Sequence, residues 1–203
     1  VPGAIGEEHS IKKQEPPFIR HFYHEVLPHC RRSIGRLARF QPDGGAQARR
    51  QCGLDAMPGG GAEIFDEKLR AEMCPSKTKS ADWLAIHKEA HLLGIQTNAT
   101  ILYGHKETFA QRVDHLNRLR TLQDETHGFN AFIPLKYKKE NNVLGIEREL
   151  PWTEDLRNFS ISRLFLDNIP HLKVYWPMLG KDFSQITLDY GVDDFDGTIN
   201  DST

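Results

Sequence analysis

From Gly53 to the end of the 203-residue chain, strand-like apolar segments alternate with helical patterns, and this alternation restricts the fold more than any other feature. The strand-like segments cover residues 53–57, 95–103, 129–134 and 172–176. Each is followed by a helical pattern, which supplies the long crossover connection that parallel strands require. The sequence therefore predicts an α/β fold of four β/α units, either as an open parallel sheet or as part of a β/α barrel.

Local signals mark where the predicted helices begin. Ser80 is a good N-cap for the first helix. Thr108, followed three residues later by Gln111, forms a capping box for the second. A third helix is predicted to open at Thr153, and residues 183–190 have the apolar spacing of a fourth.

In either architecture a ligand binds at the carboxyl ends of the strands. The loop after the first strand carries Gly59, Gly60 and Gly61 and ends on Glu63. Glycines let backbone amides approach a bound group closely, and a carboxylate accepts hydrogen bonds from hydroxyl or amino groups. We interpret the three glycines as cofactor-binding and Glu63 as substrate-binding. The alternative is a flexible connector, which glycines alone do not distinguish.

Polar and aromatic side chains on the later strands are further candidates. Asn98 and Thr100 alternate with apolar residues, so both face one side of their strand, where a polar substrate or a neighbouring strand would satisfy them. His105 directly follows a strand end and is either a cavity residue or a core residue. Tyr175 and Trp176 either stack on a ligand ring or fill the core.

Residues that often bind metals give weaker signals. His87 and His91 share a helix face, but the HExxH glutamate is missing, so helix packing is favoured over metal ligation. Residues 193–198 are acidic, and a solvated turn is favoured there over a cation site. The following histidines are expected at the surface or at helix ends: His115, His127 and His171.

The composition argues against several partners. A net charge of -2 and a pI near 6.6 give no electrostatic attraction for nucleic acid or an anionic membrane. No apolar run approaches the ~20 residues of a membrane span. Cys30, Cys52 and Cys74 lie too far apart for a CxxC-type site and are predicted to be unpaired thiols. We expect a cytoplasmic protein with a small-molecule substrate, no metal site and no contact with nucleic acid or membrane.

Residues 1–52 have no sustained helical or strand period and form an atypical segment, distinct from residues 53–203. When permitted codons for His21 to Cys52 are read one base later, they give a strand-like opening and an amphipathic helix that lead directly into Gly53. We therefore hypothesise that this segment is a frame-shifted remnant of the barrel. A nucleotide sequence that does not use those codons would contradict the hypothesis.

Long strings of residues in the second part of the chain carry a family resemblance. They are Gly53-Leu-Asp-Ala-Met-Pro-Gly-Gly-Gly-Ala-Glu-Ile-Phe65, Asn98-Ala-Thr-Ile-Leu-Tyr-Gly-His105, Leu166-Asp-Asn-Ile-Pro-His171, Tyr175-Trp-Pro-Met-Leu-Gly180 and Asp193-Asp-Phe-Asp-Gly-Thr198. Through these strings the chain resembles the C-terminal part of the aminofutalosine synthases, which are radical S-adenosylmethionine enzymes of menaquinone biosynthesis. The cyclic dehypoxanthine futalosine synthases and the radical enzymes that assemble the deazaflavin chromophore are related families.

The resemblance implies the C-terminal half of a TIM-type β/α barrel, whose N-terminal half holds a 4Fe-4S cluster on a CxxxCxxC loop. In this family a 5′-deoxyadenosyl radical from S-adenosylmethionine adds to 3-[(1-carboxyvinyl)oxy]benzoate. The resemblance, together with strand-end positions, assigns five residues to the substrate and nucleoside side of the cavity: Glu63, Asn98, Tyr103, His105 and Trp176.

The chain departs from the family because these 203 residues contain no CxxxCxxC loop, so cluster binding is not expected here. We expect an inactive fragment of a transferase, or alternatively a half-barrel partner of another chain. Without the early strands the sheet would have unpaired edges, which predicts poor solubility or self-association. A metal hydrolase on the same scaffold would require His87 and His91 near strand ends.

Overall fold

The computed structural model describes residues 56–140 and 144–197, and the predictions made for residues 1–52 fall outside this part of the chain. Its centre is a parallel sheet of five strands whose order in space equals their order in the sequence. The strands are β1 (Ala56–Met57), β2 (Gln96–Tyr103), β3 (Phe129–Lys136), β4 (His171–Tyr175) and β5 (Asp194–Asp196). The predicted α/β half-barrel is therefore confirmed.

Helices connect successive strands. They are α1 (Glu67–Met73), α2 (Ser80–Leu92), α3 (Phe109–Thr126), α4 (Trp152–Phe165), α5 (Trp176–Leu179) and α6 (Lys181–Ile186), followed by a 3₁₀ helix (Thr187–Tyr190). The capping box of α3 is present: Gln111 N donates to Thr108 Oγ1 over 3.2 Å, and Thr108 N donates to Gln111 Oε1 over 2.8 Å. Ser80 is the first residue of α2 and not its cap.

Three short elements differ from the sequence predictions. The α1 helix was missed because seven residues are too few to show a helical period, although Asp66 caps it by accepting a hydrogen bond from Leu69 N at 2.8 Å. The acidic run predicted to be a turn contains strand β5, where Asp194 pairs with Lys173 of β4 at 2.9 Å. The predicted last helix is divided into α6 and a 3₁₀ turn.

The strand order places the helices on one face of the sheet, because consecutive right-handed crossovers in one direction all lie on the same side. The core lies between the sheet and these helices and is mainly aliphatic and aromatic. Its largest wholly buried side chains include Phe65, Tyr103, Leu119, Phe129, Phe132, Phe159 and Leu172. We call the other side of the sheet the open face; the strand register places Asn98, Thr100, Leu102, Ile133 and Leu135 there.

Among the described residues, no helix combines the length and the apolar character needed to cross a bilayer. Of the helices described above, α3 is the longest, with 18 residues, and polar side chains in and next to it form the capping box and several ion pairs.

Candidate functional site

The glycine loop, residues 58–63, lies at the carboxyl end of β1 and packs closely on β2. A Cβ atom on Gly59 would lie 2.2 Å from the Asn98 carbonyl oxygen, so only glycine fits there. Thr100 Oγ1 donates to the Gly59 carbonyl over 2.8 Å. Backbone contact is continued by Leu102 N, which donates to the Glu63 carbonyl over 2.8 Å. The loop is therefore anchored on β2 from Asn98 to Leu102.

Two helices hold the remaining carbonyl groups of the glycine loop. Trp83 Nε1 of α2 donates to the Gly60 carbonyl over 3.2 Å. Arg70 of α1 donates to the Gly61 carbonyl over 3.1 Å and also to the Ala62 carbonyl. In a planar trans peptide the N–H of the next residue points the opposite way. Residues 60–62 therefore turn their carbonyls toward the helices, and the amides of residues 61–63 point away from them.

Glu63 closes the glycine loop in an unusual backbone conformation. Its φ is 47°, in the left-handed region, which a residue with a side chain adopts only when its surroundings enforce it. Its carboxylate forms a salt bridge with Lys77 in which both side chains are largely buried. The carboxylate is thus held at the loop with its charge balanced by a lysine.

The turn after β2 is organised by a buried carboxylate. Glu107 accepts hydrogen bonds from Gly104 N at 2.7 Å, from His105 N at 2.8 Å and from Arg112 Nε at 2.7 Å. The His105 ring is buried, and its Nε2 donates to the Leu102 carbonyl over 2.9 Å. Burial lowers the pKa of His105, and the nearby Glu107 carboxylate opposes this shift.

Tyr103 faces the helices and not the open face. Its side chain is wholly buried, and its hydroxyl donates to Asp155 Oδ1 of α4 over 3.0 Å. Asp155 Oδ2 accepts from Lys136 Nζ at 2.7 Å, and the same ammonium donates to the Leu150 carbonyl over 2.7 Å. Burial and the nearby Asp155 raise the pKa of Tyr103 well above its usual value. This network joins the ends of β2 and β3 to α4.

Tyr175 and Trp176 lie at the carboxyl end of β4. Trp176 was predicted to end a strand, but it is the first residue of α5. Its half-buried indole has Lys181 Nζ 5.1 Å from the ring centre. A Cβ on Gly197 would lie 2.3 Å from Trp176 Nε1, so this glycine is required for the close packing. Burial raises the pKa of the Tyr175 hydroxyl, and the nearby Asp196 carboxylate raises it further.

The structure brings together some of the predicted site residues and separates others. Glu63 and the glycines lie beside β2, and the His105 ring lies 5.9 Å from the Tyr137 ring at the end of β3. Asn98 is half-buried near the start of β2, next to Gly59 and five residues before Tyr103, about 17 Å along the strand. The candidate ligand surface therefore consists of the glycine loop, the turn after β2 and Trp176.

The chain is similar in sequence to known proteins. A family model described as the CofH/MqnC C-terminal region matches residues 126–202. Aminodeoxyfutalosine synthase of Thermus thermophilus is 50% identical over 172 residues, which cover 82% of this chain and 46% of that protein. The C-terminal part of the chain belongs to this family. The resemblance seen in the sequence is thereby confirmed.

Two other relatives carry different names. Cyclic dehypoxanthine futalosine synthase of Streptomyces coelicolor is 38% identical over 190 residues, covering 93% of this chain and 47% of that protein. A 5-amino-6-(D-ribitylamino)uracil--L-tyrosine 4-hydroxyphenyl transferase of Methanoculleus marisnigri is 43% identical over 154 residues, covering 74% of this chain and 42% of that protein. The chain spans about half the length of the curated relatives that it matches.

The described residues of this futalosine-family chain do not fit an iron–sulfur cluster. Cys74 is the cysteine that lies within the described part, and burial raises the pKa of its thiol, which disfavours the thiolate needed for ligation. Residues 56–140 and 144–197 also contain no group of three or more His, Cys, Asp or Glu side chains arranged for a metal ion.

His87 and His91 form a packing cluster, as the sequence analysis favoured. His87 Nδ1 and His91 Nε2 each lie 2.8 Å from Thr97 Oγ1, and His91 Nδ1 lies 2.6 Å from Thr126 Oγ1. The prediction for His115 was wrong: it is wholly buried, with Nε2 donating to the Thr100 carbonyl over 2.9 Å. His127 ends α3, and His171 is exposed beside Asp193 at 3.1 Å.

Several organising residues of the site escaped the sequence analysis. Lys136 gave a signal, because a lysine ending an apolar strand is expected to have a buried partner or a solvent path. Glu107 is only two residues from His105 in the sequence, and a carboxylate at that position could likewise be expected to have a nearby partner. Arg70 gave none, since its partners are backbone carbonyls that no side-chain pattern reveals.

Proposed function

We propose that this chain forms the ligand-binding half of an aminodeoxyfutalosine synthase-type barrel. In this proposal it binds the nucleoside part of S-adenosylmethionine and the aromatic substrate 3-[(1-carboxyvinyl)oxy]benzoate for menaquinone biosynthesis. The anchored glycine loop at the carboxyl end of β1 carries the proposal, because it presents backbone donors beside Glu63 at the edge where β/α proteins bind ligands. The 50% identity to aminodeoxyfutalosine synthase supports it.

Each predicted residue has a distinct part in this proposal. Glu63 accepts hydrogen bonds from ribose hydroxyls or an amino group, and the adjacent glycines allow the ligand to approach the backbone. Trp176 offers one face for ring stacking, while Lys181 covers part of its surface. His105 and Tyr103 act from behind this surface, because both side chains are buried.

The radical-generating group lies outside this proposal. In the family, a 4Fe-4S cluster supplies the electron that cleaves S-adenosylmethionine. Three thiolates are needed to hold such a cluster, and the cysteine donor set described above does not provide them. We therefore propose that the chain by itself binds ligands without performing the radical step.

Ligand binding can be tested through tryptophan fluorescence. We expect 5′-deoxyadenosine and the carboxyvinyloxybenzoate to quench the emission, because Trp176 lies at the proposed ligand surface. Trp176→Phe should weaken the response, and the remainder is assigned to Trp83, which is hydrogen-bonded to the glycine loop. Trp152→Phe is the matched control, since Trp152 is 61% exposed at the start of α4. A loss of quenching in Trp176→Phe that is no greater than in Trp152→Phe, or an absence of saturable binding by calorimetry, would reject the proposed surface.

A further inference from the structure

Arg70 is a buried cation that lacks a carboxylate partner within the described part of the chain. It is 3% exposed, and its guanidinium donates to backbone carbonyls of Gly61, Ala62, Ile64 and Thr78. Three of these four carbonyls belong to the glycine loop or the residue that follows it. Because guanidinium groups are rarely buried unless paired, this arrangement needs an explanation beyond charge neutralisation.

The carbonyl contacts determine where the amides of the glycine loop point. The carbonyls of Gly60, Gly61 and Ala62 are bound from the helix side by Trp83 and Arg70, so the amides of residues 61–63 are directed away from the helices. Within residues 56–140 and 144–197, no hydrogen-bond acceptor contacts these three amides. They are available donors on the ligand side.

The backbone of the glycine loop also has the alternating conformation of an anion nest. Gly61 has a φ of 89° and Glu63 a φ of 47°, while Ala62 between them has an ordinary negative φ. Successive residues of opposite hand turn their N–H groups into one concavity, which binds anions. Gly61 and Glu63 are half-buried, whereas Ala62 is wholly buried, so we take the amides of Gly61 and Glu63 as the pair that meets the anion.

We propose that the glycine loop binds an oxyanion through the amides of Gly61 and Glu63, and that Arg70 is the positioning residue that holds the loop in this form. The oxyanion is a carboxylate or a phosphate group. The salt bridge with Lys77 balances the Glu63 carboxylate, so this side chain does not repel an incoming anion. The inference deepens the proposed function and rests on it where the ligand is the carboxylate of an adenosyl amino acid.

The binding test uses amide chemical shifts of the ¹⁵N-labelled chain during titration. Three probes separate the sources of the oxyanion: inorganic phosphate, S-adenosylhomocysteine, which carries a carboxylate, and 5′-methylthioadenosine, which does not. We expect phosphate and S-adenosylhomocysteine to move the Gly61 and Glu63 amide signals downfield, with methylthioadenosine leaving them in place.

The outcomes distinguish this inference from the proposed function. If phosphate moves the two signals and neither nucleoside binds, the nest is supported and the nucleoside site is rejected. If both nucleosides bind and have the same effect on the Gly61 and Glu63 signals, and phosphate has no effect, the nucleoside site stands and the nest is overturned. An absence of any shift at Gly61 and Glu63 also overturns the nest.

Substitutions test the role of Arg70. Arg70→Gln should weaken phosphate binding about tenfold or more, since the carbonyl anchors are lost, and Arg70→Lys should restore part of it. Arg157→Gln is the matched control, because Arg157 lies exposed on α4 and pairs with Glu154. Unchanged phosphate binding in Arg70→Gln would overturn the positioning role.

A second pair of variants keeps the test valid if Arg70→Gln does not fold. Gly61→Ala disfavours the positive φ of the nest without touching Arg70. Gly145→Ala imposes a similar strain at a φ of 68°, in a place where the new methyl group meets no atom within 4 Å. We expect anion binding to be lost in Gly61→Ala and kept in Gly145→Ala. Equal binding in the two variants would overturn the nest.

Discussion

At the scale of single residues, position 59 requires glycine because the loop packs closely on β2, and not because the backbone there needs flexibility. A methyl group there would lie 2.2 Å from the Asn98 carbonyl oxygen and 2.9 Å from the Ala99 Cα atom, both in the backbone of a central strand. Gly59→Ala should therefore lower the free energy of unfolding by about 1–3 kcal/mol through overpacking. Urea unfolding followed by circular dichroism measures this change, and Gly145→Ala serves as the comparison. A loss no greater than that of Gly145→Ala would contradict the packing argument.

His115 links stability to pH. Burial lowers its pKa to about 3, and its Nδ1 has no hydrogen-bond partner in the structure. Below pH 6.5 the His115 ring is protonated in the unfolded chain but stays neutral in the folded chain. Lowering the pH therefore destabilises the folded state until the pH reaches the His115 pKa of that state. Between pH 6.5 and 4 this lowers the free energy of unfolding by on the order of 2–3 kcal/mol. His115→Gln should flatten the dependence of the urea midpoint on pH, and an unchanged slope would refute the assignment.

At the scale of elements, a directed chain of hydrogen bonds joins α2, β2 and α3. Thr126 Oγ1 donates to the Leu122 carbonyl over 2.7 Å, so it accepts from His91 Nδ1. His91 Nε2 then accepts from Thr97 Oγ1, which in turn accepts from His87 Nδ1. A second proton on His91 would reverse one of these bonds. This agrees with a His91 pKa lowered to about 4, chiefly by burial.

The ion pair between Lys136 and Asp155 connects the end of β3 to the first turn of α4. Both side chains are almost wholly buried, so Lys136→Met would leave an unpaired carboxylate and should cost about 3–5 kcal/mol. The double variant Lys136→Met/Asp155→Asn removes both charges and should recover much of this loss. A double-mutant cycle of urea unfolding measures the coupling. If the two single losses simply add, the pair does not act as a unit.

How far the sequence predicts these elements depends on whether their causes are local. The capping box at Thr108 is local and was predicted, whereas β5 forms through pairing with β4 and was not. The alternation that places Asn98 and Thr100 on one face also places Tyr103 on the other, so its burial against α4 could have been inferred. Arg70 could not, because its carbonyl partners depend on the folded path of the loop.

At the scale of the whole molecule, the parallel sheet ends in two short edge strands. β1 has two residues and β5 has three, and neither has a second neighbour within the described residues. Half-buried Leu102 and Leu135 lie on the open face. In the relatives, about half of the chain length is additional to the matched part. We therefore propose that the chain associates with itself, or with a complementary half-barrel, through these edges.

Size-exclusion chromatography tests this association. We expect the 23.2 kDa chain to elute as a species larger than a monomer, because unpaired strand edges recruit further strands. Phe195→Lys places a charge on edge strand β5, where the phenyl ring is 40% exposed, and should shift elution toward the monomer. Leu92→Lys is the control, since this exposed leucine ends α2 away from the sheet edges. A compact monomer that melts cooperatively would refute the proposal, whereas an equal effect of both variants would assign association to general surface hydrophobicity.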